Sequence, residues 1–436
     1  MLKFLKIQIG VTSVEKFSWI KIDTASIMFT CLSSKSWGRT FRVSANLNNG
    51  DINPELLKRA VEDLIPRFPS IYSFLKKGFF WNYQQCTTSL PEIREEHSKI
   101  LLPITYRNDG RPDFRVLYYK NRIAIETAHH IADGKGMGEY FNALIERYIE
   151  LCDNPQSEYD NKKVECIENA FARYYEKGGE KADGATIKAY KLEGEIEPGF
   201  LQLIFLYTPL EKLLEKARSK SMTITEYIAA ALILGTIRKA EKPINLPISI
   251  AIPVNLRRFF PTDSVRNFTI QTEIVFDPKG RTDYTFDEIC DSIRGQLKEK
   301  LRKSELQKAL NRYGSLTTNP ILRIVPNFIK LPVMRKMQHK SHAANTTILT
   351  NTGEAVDNDF LKGKIERVEG VNGDTSGYGL ISTCSTLSHN GVFTMCFSVC
   401  SHDTSWPMHC VRILSELGLD IRIESTHGNG VRENEM

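Results

Sequence analysis

The stretch that decides the fold of this chain runs from residue 122 to residue 151, RIAIETAHHIADGKGMGEYFNALIERYIEL. Residues 122–127 have the β-branched, apolar character of a strand. Residues 137–151 repeat apolar side chains with the spacing of an amphipathic helix. His129, Asp133 and Gly134 therefore lie at a strand-to-helix turn. This turn predicts a strand–helix unit of an α/β fold, with His129 held at the end of its strand.

His129, Asp133 and Gly134 form the pattern HxxxDG, whose residue types suit proton transfer. A neutral imidazole is the natural general base near neutral pH, so His129 is the candidate catalytic residue. Asp133 is expected to pair with an arginine and lock the turn, and Gly134 to permit a backbone geometry that a Cβ would forbid. Each residue also fits an ordinary role: a hydrogen-bonded core histidine, a helix cap and a turn glycine.

Other kinds of site are disfavoured by the same stretch. Adjacent residues on a strand point to opposite faces, so His129 and His130 are poorly placed to share a metal ion, and we predict no metal site. The glycines 134, 136 and 138 do not have the spacing of a dinucleotide-binding turn. The chain contains no G-x-S-x-G and no G-x-x-x-x-G-K-[ST] sequence, which removes the commonest hydrolase and NTPase interpretations.

Composition indicates a globular protein of two or three domains, since 436 residues exceed one ordinary core. The net charge of +6 is too mild to predict a nucleic-acid partner. The nine cysteines include no CxxC pair, and reduced thiols in the cytoplasm are the expected state. Residues 1–16 lack the features of a signal peptide. Residues 227–237 are apolar but too short to span a bilayer, and predict a buried helix.

Periodicity predicts alternating strands and helices in both parts of the chain. A polar, charged stretch over residues 153–183 is the candidate linker, and we place the domains at 1–165 and 196–436 with a linker at 166–195. The predicted class is α/β (α+β), with two related layered domains of mixed sheet and helices. The predicted strands are 41–47, 115–119, 122–127, 201–207, 248–252, 346–349, 379–382, 392–399 and 419–423. One predicted helix starts at Asn53-Pro54. The others cover 137–151, 210–219, 226–239 (capped by Thr225 or Thr223), 298–311, 331–340 (Pro332 in its first turn) and 406–417.

Several further strings occur in a fixed order along residues 19–353. They are Trp19-Ile20-Lys21-Ile22-Asp23, Arg67-Phe68-Pro69-Ser70, Phe114-Arg115-Val116-Leu117-Tyr118-Tyr119, Pro253-Val254-Asn255-Leu256-Arg257, Arg266-Asn267-Phe268 and Thr350-Asn351-Thr352-Gly353. Together with the HxxxDG pattern they resemble the chloramphenicol acetyltransferase-like superfamily. Within it the chain is most similar to bacterial alcohol acetyltransferase-like proteins.

The resemblance implies an active-site tunnel between the two domains, with a coenzyme A thioester entering from one side and the acceptor from the other. It makes His129 the general base and Asp133 a structural residue paired with an arginine, for which Arg257 is the nominee. It places the turn of Asn351 and Gly353 near the site. Acyl-coenzyme A is then a co-substrate, and no bound cofactor is expected.

Departures from the family pattern narrow the interpretation. Ala128 stands where condensation domains have the first of two histidines, which argues against peptide condensation, and the Asp-Phe-Gly-Trp-Gly motif of the plant enzymes is absent. Thr350 and Thr352 replace the usual Ser and Leu of the Asn-Gly turn. The leading hypothesis is acyl transfer, most simply of an acetyl group, to a hydroxyl. Amine acylation, a carrier-protein donor and a non-catalytic binding module stay open.

Two further segments have candidate roles in binding. Basic residues interleave with apolar ones over 321–340 and could form a phosphate rim or a peripheral membrane-surface segment; a solvated helix face is the simpler interpretation. Aromatic residues over 79–83 could line an acceptor pocket or belong to the core. The basic residues are Arg323, Lys330, Arg335, Lys336 and Lys340, and the aromatic stretch is Phe79-Phe80-Trp81-Asn82-Tyr83.

Overall fold

The structure is a computed structural model that describes residues 19–31, 33, 39–96, 100–104, 109–160, 164–184, 187–197, 199–356 and 358–426. The expectation about a signal peptide in residues 1–16 lies outside these residues.

The strands are β1 (Trp19–Lys21), β2 (Thr40–Leu47), β3 (Ser73–Lys76), β4 (Tyr83–Cys86), β5 (Glu92–Glu95), β6 (Phe114–Tyr119), β7 (Arg122–Ala128), β8 (Gln202–Pro209), β9 (Ile248–Asn255), β10 (Thr269–Phe276), β11 (Thr347–Glu354), β12 (Ile365–Asn372), β13 (Ser382–His389), β14 (Val392–Val399) and β15 (Arg422–Ser425). The helices are α1 (Thr24–Thr30), α2 (Pro54–Asp63), α3 (Gly134–Asp153), α4 (Ala170–Tyr174), α5 (Leu210–Ser219), α6 (Ile224–Lys239), α7 (Phe286–Ile293), α8 (Gln296–Lys300), α9 (Lys303–Thr318), α10 (Pro320–Ile324), α11 (Asn327–Ala343) and α12 (Ser405–Glu416).

The N-terminal half is built on a five-stranded sheet of order β12-β2-β7-β6-β5. Its central hairpin, β6–β7, pairs Tyr119 with Arg122 and turns at Lys120, whose φ of 50° lies in the left-handed region. Helices α2 and α3 bury their apolar stripes against one face of this sheet, where Leu57 and Leu144 join Ile125 in the core. The helix start predicted at Asn53-Pro54 is confirmed: Asn53 caps α2, with its side chain accepting from two backbone amides.

The C-terminal half is built on a seven-stranded sheet of order β10-β9-β11-β13-β14-β8-β15. Helix α6 lies against it and is buried from Glu226 to Ile237, as the apolar run predicted. Thr223 and Glu226 form a reciprocal capping box at its start, which selects Thr223 over Thr225 as the cap. Helix α12 approaches α6 closely, and the Trp406 indole donates to Thr236 at 3.0 Å.

One strand crosses between the halves. Residues 365–372 lie between β11 and β13 of the C-terminal sheet in sequence, yet β12 pairs antiparallel with β2 along the edge of the N-terminal sheet. Glu369 on β12 accepts a hydrogen bond from the Tyr207 hydroxyl of β8 at 2.6 Å. The two sheets are therefore joined by a shared chain segment as well as by packing. A third, small sheet of order β1-β4-β3 lies at the N-terminal end of the described chain.

The predicted class, two sheet-rich α/β (α+β) halves, is what the structure has. Most predicted elements are confirmed, and four predictions are wrong in detail. The strand expected over 419–423 begins only at Arg422. Pro332 lies inside α11, not in its first turn. The helix expected over 298–311 is divided into α8 and α9 at residues 301–302. The strand expected over 379–382 begins only at Ser382, because a 3-10 turn over Ser376–Tyr378 precedes it.

Candidate active site between the two halves

His129 directly follows β7, the middle strand of the N-terminal sheet, and its backbone is held from both halves. Its N–H donates to the Arg39 carbonyl at 2.7 Å. Its own carbonyl accepts from the Asn267 side chain at 3.0 Å, and Asn267 belongs to the C-terminal half. These two bonds fix the position of the residue at the seam between the halves.

The imidazole of His129 lies among aromatic rings. Its centroid is 4.0 Å from that of Phe29 and 4.9 Å from that of Phe41. Burial, and secondarily the cation of Arg39, lower the pKa of His129 to about 3. Nδ1 is buried and has no hydrogen-bond partner among the described residues. The ring is therefore neutral at physiological pH.

A small cavity opens at the imidazole. Its volume is about 10 Å³, close to what a single water molecule needs. Both halves line it: the N-terminal sheet through Arg39, Thr40, Phe41 and Asn372 of β12, and the C-terminal sheet through Ile348 and Thr383, with the segment Gly373, Asp374 and Thr375 that follows β12. The space between the halves, where the sequence predicts a tunnel, is thus narrow at His129.

A stack of polar and aromatic side chains forms one wall beside this cavity. The guanidinium of Arg39 lies 5.1 Å from the ring centroids of Phe29 and of Tyr378, and it donates to the Tyr378 hydroxyl at 3.4 Å. The ring of His342 lies 3.9 Å from that of Tyr378. Burial, followed by the cation of Arg39, lowers the pKa of His342 to about 3, so this second imidazole is also neutral.

A larger cavity of about 720 Å³ lies along the edge strand β10 and helices α9 and α11. Its lining includes Met28, next to Phe29, and Asn345, three residues before Ile348. Three residues of extended chain span about 10 Å, so the two cavities are close neighbours. The lining mixes apolar side chains such as Leu306 and Met337 with charged ones such as Lys300 and Glu305.

Asp133 is completely buried and ties the turn to the C-terminal half. One oxygen, Oδ1, caps α3 by accepting from the Gly136 amide at 2.9 Å. The other, Oδ2, accepts from the Arg257 guanidinium at 2.7 Å and from the Phe268 amide at 2.8 Å. The structure therefore brings Asp133 and Arg257 together, and Asp133 is both a helix cap and an arginine partner.

The two glycines of the turn differ in what surrounds them. Gly134 does not adopt a positive φ, and a Cβ there would meet only the Thr352 methyl, at 3.4 Å. The expectation that Gly134 needs a geometry forbidden to other residues is therefore wrong on steric grounds. A Cβ at Gly136 would lie 1.8 Å from the Val265 carbonyl oxygen, a backbone atom of the other half. The tight approach is at Gly136.

Asn351 shapes a turn within β11. Its side-chain oxygen accepts from the Gly353 amide at 3.0 Å, its side-chain nitrogen donates to Thr225 at 3.0 Å, and Gly353 has a φ of 75°. The turn reaches the start of α3 through Thr352, which faces Gly134. Asn351 does not line the cavity at His129.

His130 points away from His129 and belongs to the core. Its Nε2 lies 3.0 Å from an Asp113 carboxylate oxygen, and its carbonyl accepts from Ser26 and Gln84. Among the residues described, no group of three or more His, Cys, Asp or Glu side chains is arranged to hold a metal ion. Within the same part of the chain, no helix combines the length and apolar character required to cross a bilayer.

Four residues of the site were not singled out by the sequence: Phe29, Arg39, Tyr378 and His342. They come from separate segments, and nothing in their local patterns predicts that they meet at one imidazole. Asn267 was quoted within the string Arg266-Asn267-Phe268, but without a role. Its signal was the string itself, which supplies both the Asn267 amide for His129 and the Phe268 N–H for Asp133.

Many solved structures match this chain, among them three that cover nearly its whole length. TRI3 trichothecene 15-O-acetyltransferase from Fusarium sporotrichioides matches with a TM-score of 0.62 at 10% identity, covering 93% of this chain and 96% of that one. TRI101 from F. sporotrichioides, complexed with coenzyme A and T-2, gives 0.63 at 11%, covering 92% and 99%. The epimerization domain from the third module of tyrocidine synthetase B gives 0.59 at 12%, covering 92% and 98%.

This chain has the fold that these three proteins share. No protein-family model matches it, and no curated protein matches it by sequence. These comparisons show the fold, and membership in the superfamily that the HxxxDG pattern resembles stays a prediction.

Proposed function

We propose that the chain is an acyltransferase that moves an acyl group, most simply acetyl, from a coenzyme A thioester to a hydroxyl acceptor, with His129 as the general base. The observation that carries the proposal is the neutral imidazole of His129 at a cavity lined by both halves. Its backbone is fixed by Arg39 and Asn267, so the ring is held where two substrates entering between the halves would meet.

The reaction needs one proton acceptor and no redox partner. His129 takes the proton of the acceptor hydroxyl as its oxygen attacks the thioester carbonyl carbon. The tetrahedral intermediate collapses with cleavage of the carbon–sulfur bond, and the imidazolium returns the proton to the departing sulfur. The products are an ester and free coenzyme A, and His129 is again neutral.

Asp133 and Arg257 act in this proposal as positioning residues. Their ion pair, together with the Phe268 amide, holds the turn that begins at His129 against the C-terminal half. Asp133 is four residues from His129 and directs its oxygens to Gly136, Arg257 and Phe268. We therefore assign it no proton-transfer role. Asn351 shapes the neighbouring turn in β11, and Gly134 faces Thr352 of that turn.

The cavity of about 720 Å³ is the proposed acceptor pocket. Its volume is in the range of small-molecule sites, and its mixed lining suits an acceptor with an apolar body and some polar groups. His129 does not line this cavity, so a turnover requires the acceptor hydroxyl to reach from it to the imidazole. Two of the structures that share the fold support the donor and the acceptor class: TRI3 is an O-acetyltransferase, and TRI101 was solved with coenzyme A.

The deciding experiment measures thiol release from acetyl-coenzyme A with a panel of alcohols and amines. Wild type should show acceptor-dependent release, and His129→Ala should lower its rate by roughly 10²- to 10⁴-fold, the usual contribution of a general base. His389→Ala is the matched control, because His389 is also a buried histidine but contacts Ile365 and Glu354, which do not line the cavity at His129. Release that survives His129→Ala in a folded protein would contradict the assignment of the base.

A second candidate, transfer to an amine or from a carrier-protein thioester, is favoured by the match to a peptide-synthetase domain. Release with amines alone would select amine acylation. Activity with an acylated carrier protein, and none with acetyl-coenzyme A, would select the carrier-bound donor. No release with either donor and any acceptor would leave a non-catalytic binding module on this fold.

A further inference from the structure

Helix α11 has an inverted distribution of side chains. The residues it buries are mainly polar: Asn327, Lys330, Gln338 and His342 each expose less than a tenth of their surface, and Met334 completes the buried set. Its outward side carries Phe328, Ile329, Val333 and Met337, which are 52–69% exposed. A helix on the surface of a globular protein ordinarily has the opposite arrangement.

The buried polar side of α11 is well supplied with partners. Asn327 donates to the Gly78 carbonyl at 2.8 Å and to the Asn82 side chain at 3.2 Å. The Lys330 ammonium lies 3.1 Å from the Trp81 ring centroid and donates to backbone carbonyls, including that of Phe80. The orientation of the helix is therefore fixed by specific contacts, and its apolar side faces outward as a consequence.

The loop between β3 and β4 extends the exposed apolar surface. Phe79 and Phe80 are 65% and 44% exposed, and the Phe79 ring lies 6.3 Å from that of Phe328. Ile324 of α10, 71% exposed, belongs to the same stretch of chain. We call this surface the apolar–basic patch. Its apolar members are Phe79, Phe80, Ile324, Phe328, Ile329, Val333 and Met337, and its basic members are Lys336 and Lys340. A cluster of this size on a surface indicates an interaction site.

The chain segment that carries most of the patch contains charges of one sign. Residues 306–353 contain seven lysines or arginines and no aspartate or glutamate. On α11, Lys336 and Lys340 are exposed on the same side as Ile329 and Val333. Long basic side chains can lay their methylene groups along an apolar surface and extend their charges to anionic head groups.

We propose that the apolar–basic patch docks on the surface of a bilayer that contains anionic lipids. The apolar side chains would enter the interfacial region, and the surrounding cations would bind the lipid head groups. Met337 also lines the cavity of about 720 Å³, so docking would place the entrance of that cavity against the bilayer. Membrane binding itself does not depend on His129 or on the proposed reaction.

The test is co-sedimentation of the full chain with vesicles of phosphatidylcholine alone and of phosphatidylcholine mixed with phosphatidylglycerol. Wild type should bind the anionic vesicles, more weakly at high salt. Each of Lys336→Gln and Lys340→Gln should lower the partition coefficient about fivefold, and Phe328→Ser by about tenfold or more. These positions are exposed, so the variants should fold normally.

Leu246→Ser and Lys242→Gln are the matched controls, an exposed apolar and an exposed basic residue outside the patch, and should bind as wild type does. Absence of binding to anionic vesicles, or equal loss in the controls, would overturn the proposal. An acidic acyl carrier protein is the second probe. If it binds wild type but not Phe328→Ser, while vesicles do not bind, the patch is a protein interface and the membrane proposal is wrong.

Discussion

The turn that follows β7 and helix α11 both bury polar side chains, but with different results. At the turn, the Asp133 carboxylate is matched by Arg257 and by two backbone amides, and apolar side chains fill the surrounding core. In α11, buried Asn327 and Lys330 are also matched, but the apolar side chains face outward. Buried polar groups with hydrogen-bond partners thus join the two halves at the turn, whereas in α11 they leave an apolar surface exposed to solvent.

Removing the Asp133 carboxylate, the buried acceptor at the turn, should have the largest effect on the free energy of unfolding. Asp133→Ala leaves the Arg257 guanidinium and the Gly136 and Phe268 amides without their acceptor in a buried setting. Breaking a buried ion pair from one side costs about 3–5 kcal/mol, and we expect that loss in the free energy of unfolding. Urea denaturation measures it, and a loss below about 1 kcal/mol would show that the seam does not depend on Asp133.

Smaller effects on stability are expected from substitutions at Gly134 and Gly136. They test the steric fit of the turn without removing a hydrogen-bonding side chain. Gly136→Ala brings a methyl group into the Val265 carbonyl and should cost about 1–3 kcal/mol, as overpacking does. Gly134→Ala makes only an ordinary contact with Thr352 and should stay within about 0.5 kcal/mol of wild type. Equal effects at both positions in thermal or urea unfolding would contradict this account of the turn.

The pH dependence of stability compares the two buried imidazoles, His129 and His342. Each has a pKa of about 3 in the folded protein against an ordinary value of 6.5. Between these values the unfolded chain binds more protons, so their contribution is complete above pH 6.5 and is lost as the pH falls toward 3. The loss is about 1.4 kcal/mol per pH unit for each group.

Urea unfolding at several pH values below 6.5 checks this. The slope of the free energy of unfolding against pH reports how many more protons the unfolded chain binds than the folded protein. His342→Gln and His129→Gln should each reduce that number by about one, and the double variant by about two. An unchanged slope in either single variant would show that its imidazole titrates normally in the folded state.

The fold was largely predictable because its signals are local. The β6–β7 hairpin, α5 and the capped α6 are specified by alternation, amphipathic spacing and turn or cap residues within each segment. β12 was missed because its sequence, IERVEGVN, is rich in charge. Its charges are compatible with a strand only because Tyr207 accommodates Glu369 and Glu424 pairs with Arg367. That compensation comes from distant residues and is invisible in the segment.

The candidate site was predictable in part for the same reason. His129 and Asp133 lie in one short motif, and Arg257 was nominated from a string that resembles relatives. Its contact with Asp133 is seen in the structure, while its role in the reaction stays a prediction. The domain limits of 1–165 and 196–436 also stay a prediction. The wall formed by Arg39, Tyr378 and His342 depends on three segments meeting in space, which no local pattern encodes.

The path of β12 has a consequence for the integrity of the molecule. A single cut in the exposed segment near Glu193–Glu195 would separate the chain into two pieces, yet the later piece would still carry the edge strand of the earlier sheet. The two pieces would remain bound to each other through the hydrogen bonds between β2 and β12. The earlier piece lacks one strand of its own five-stranded sheet, so a nicked protein should elute as one particle in gel filtration and separate only in denaturant.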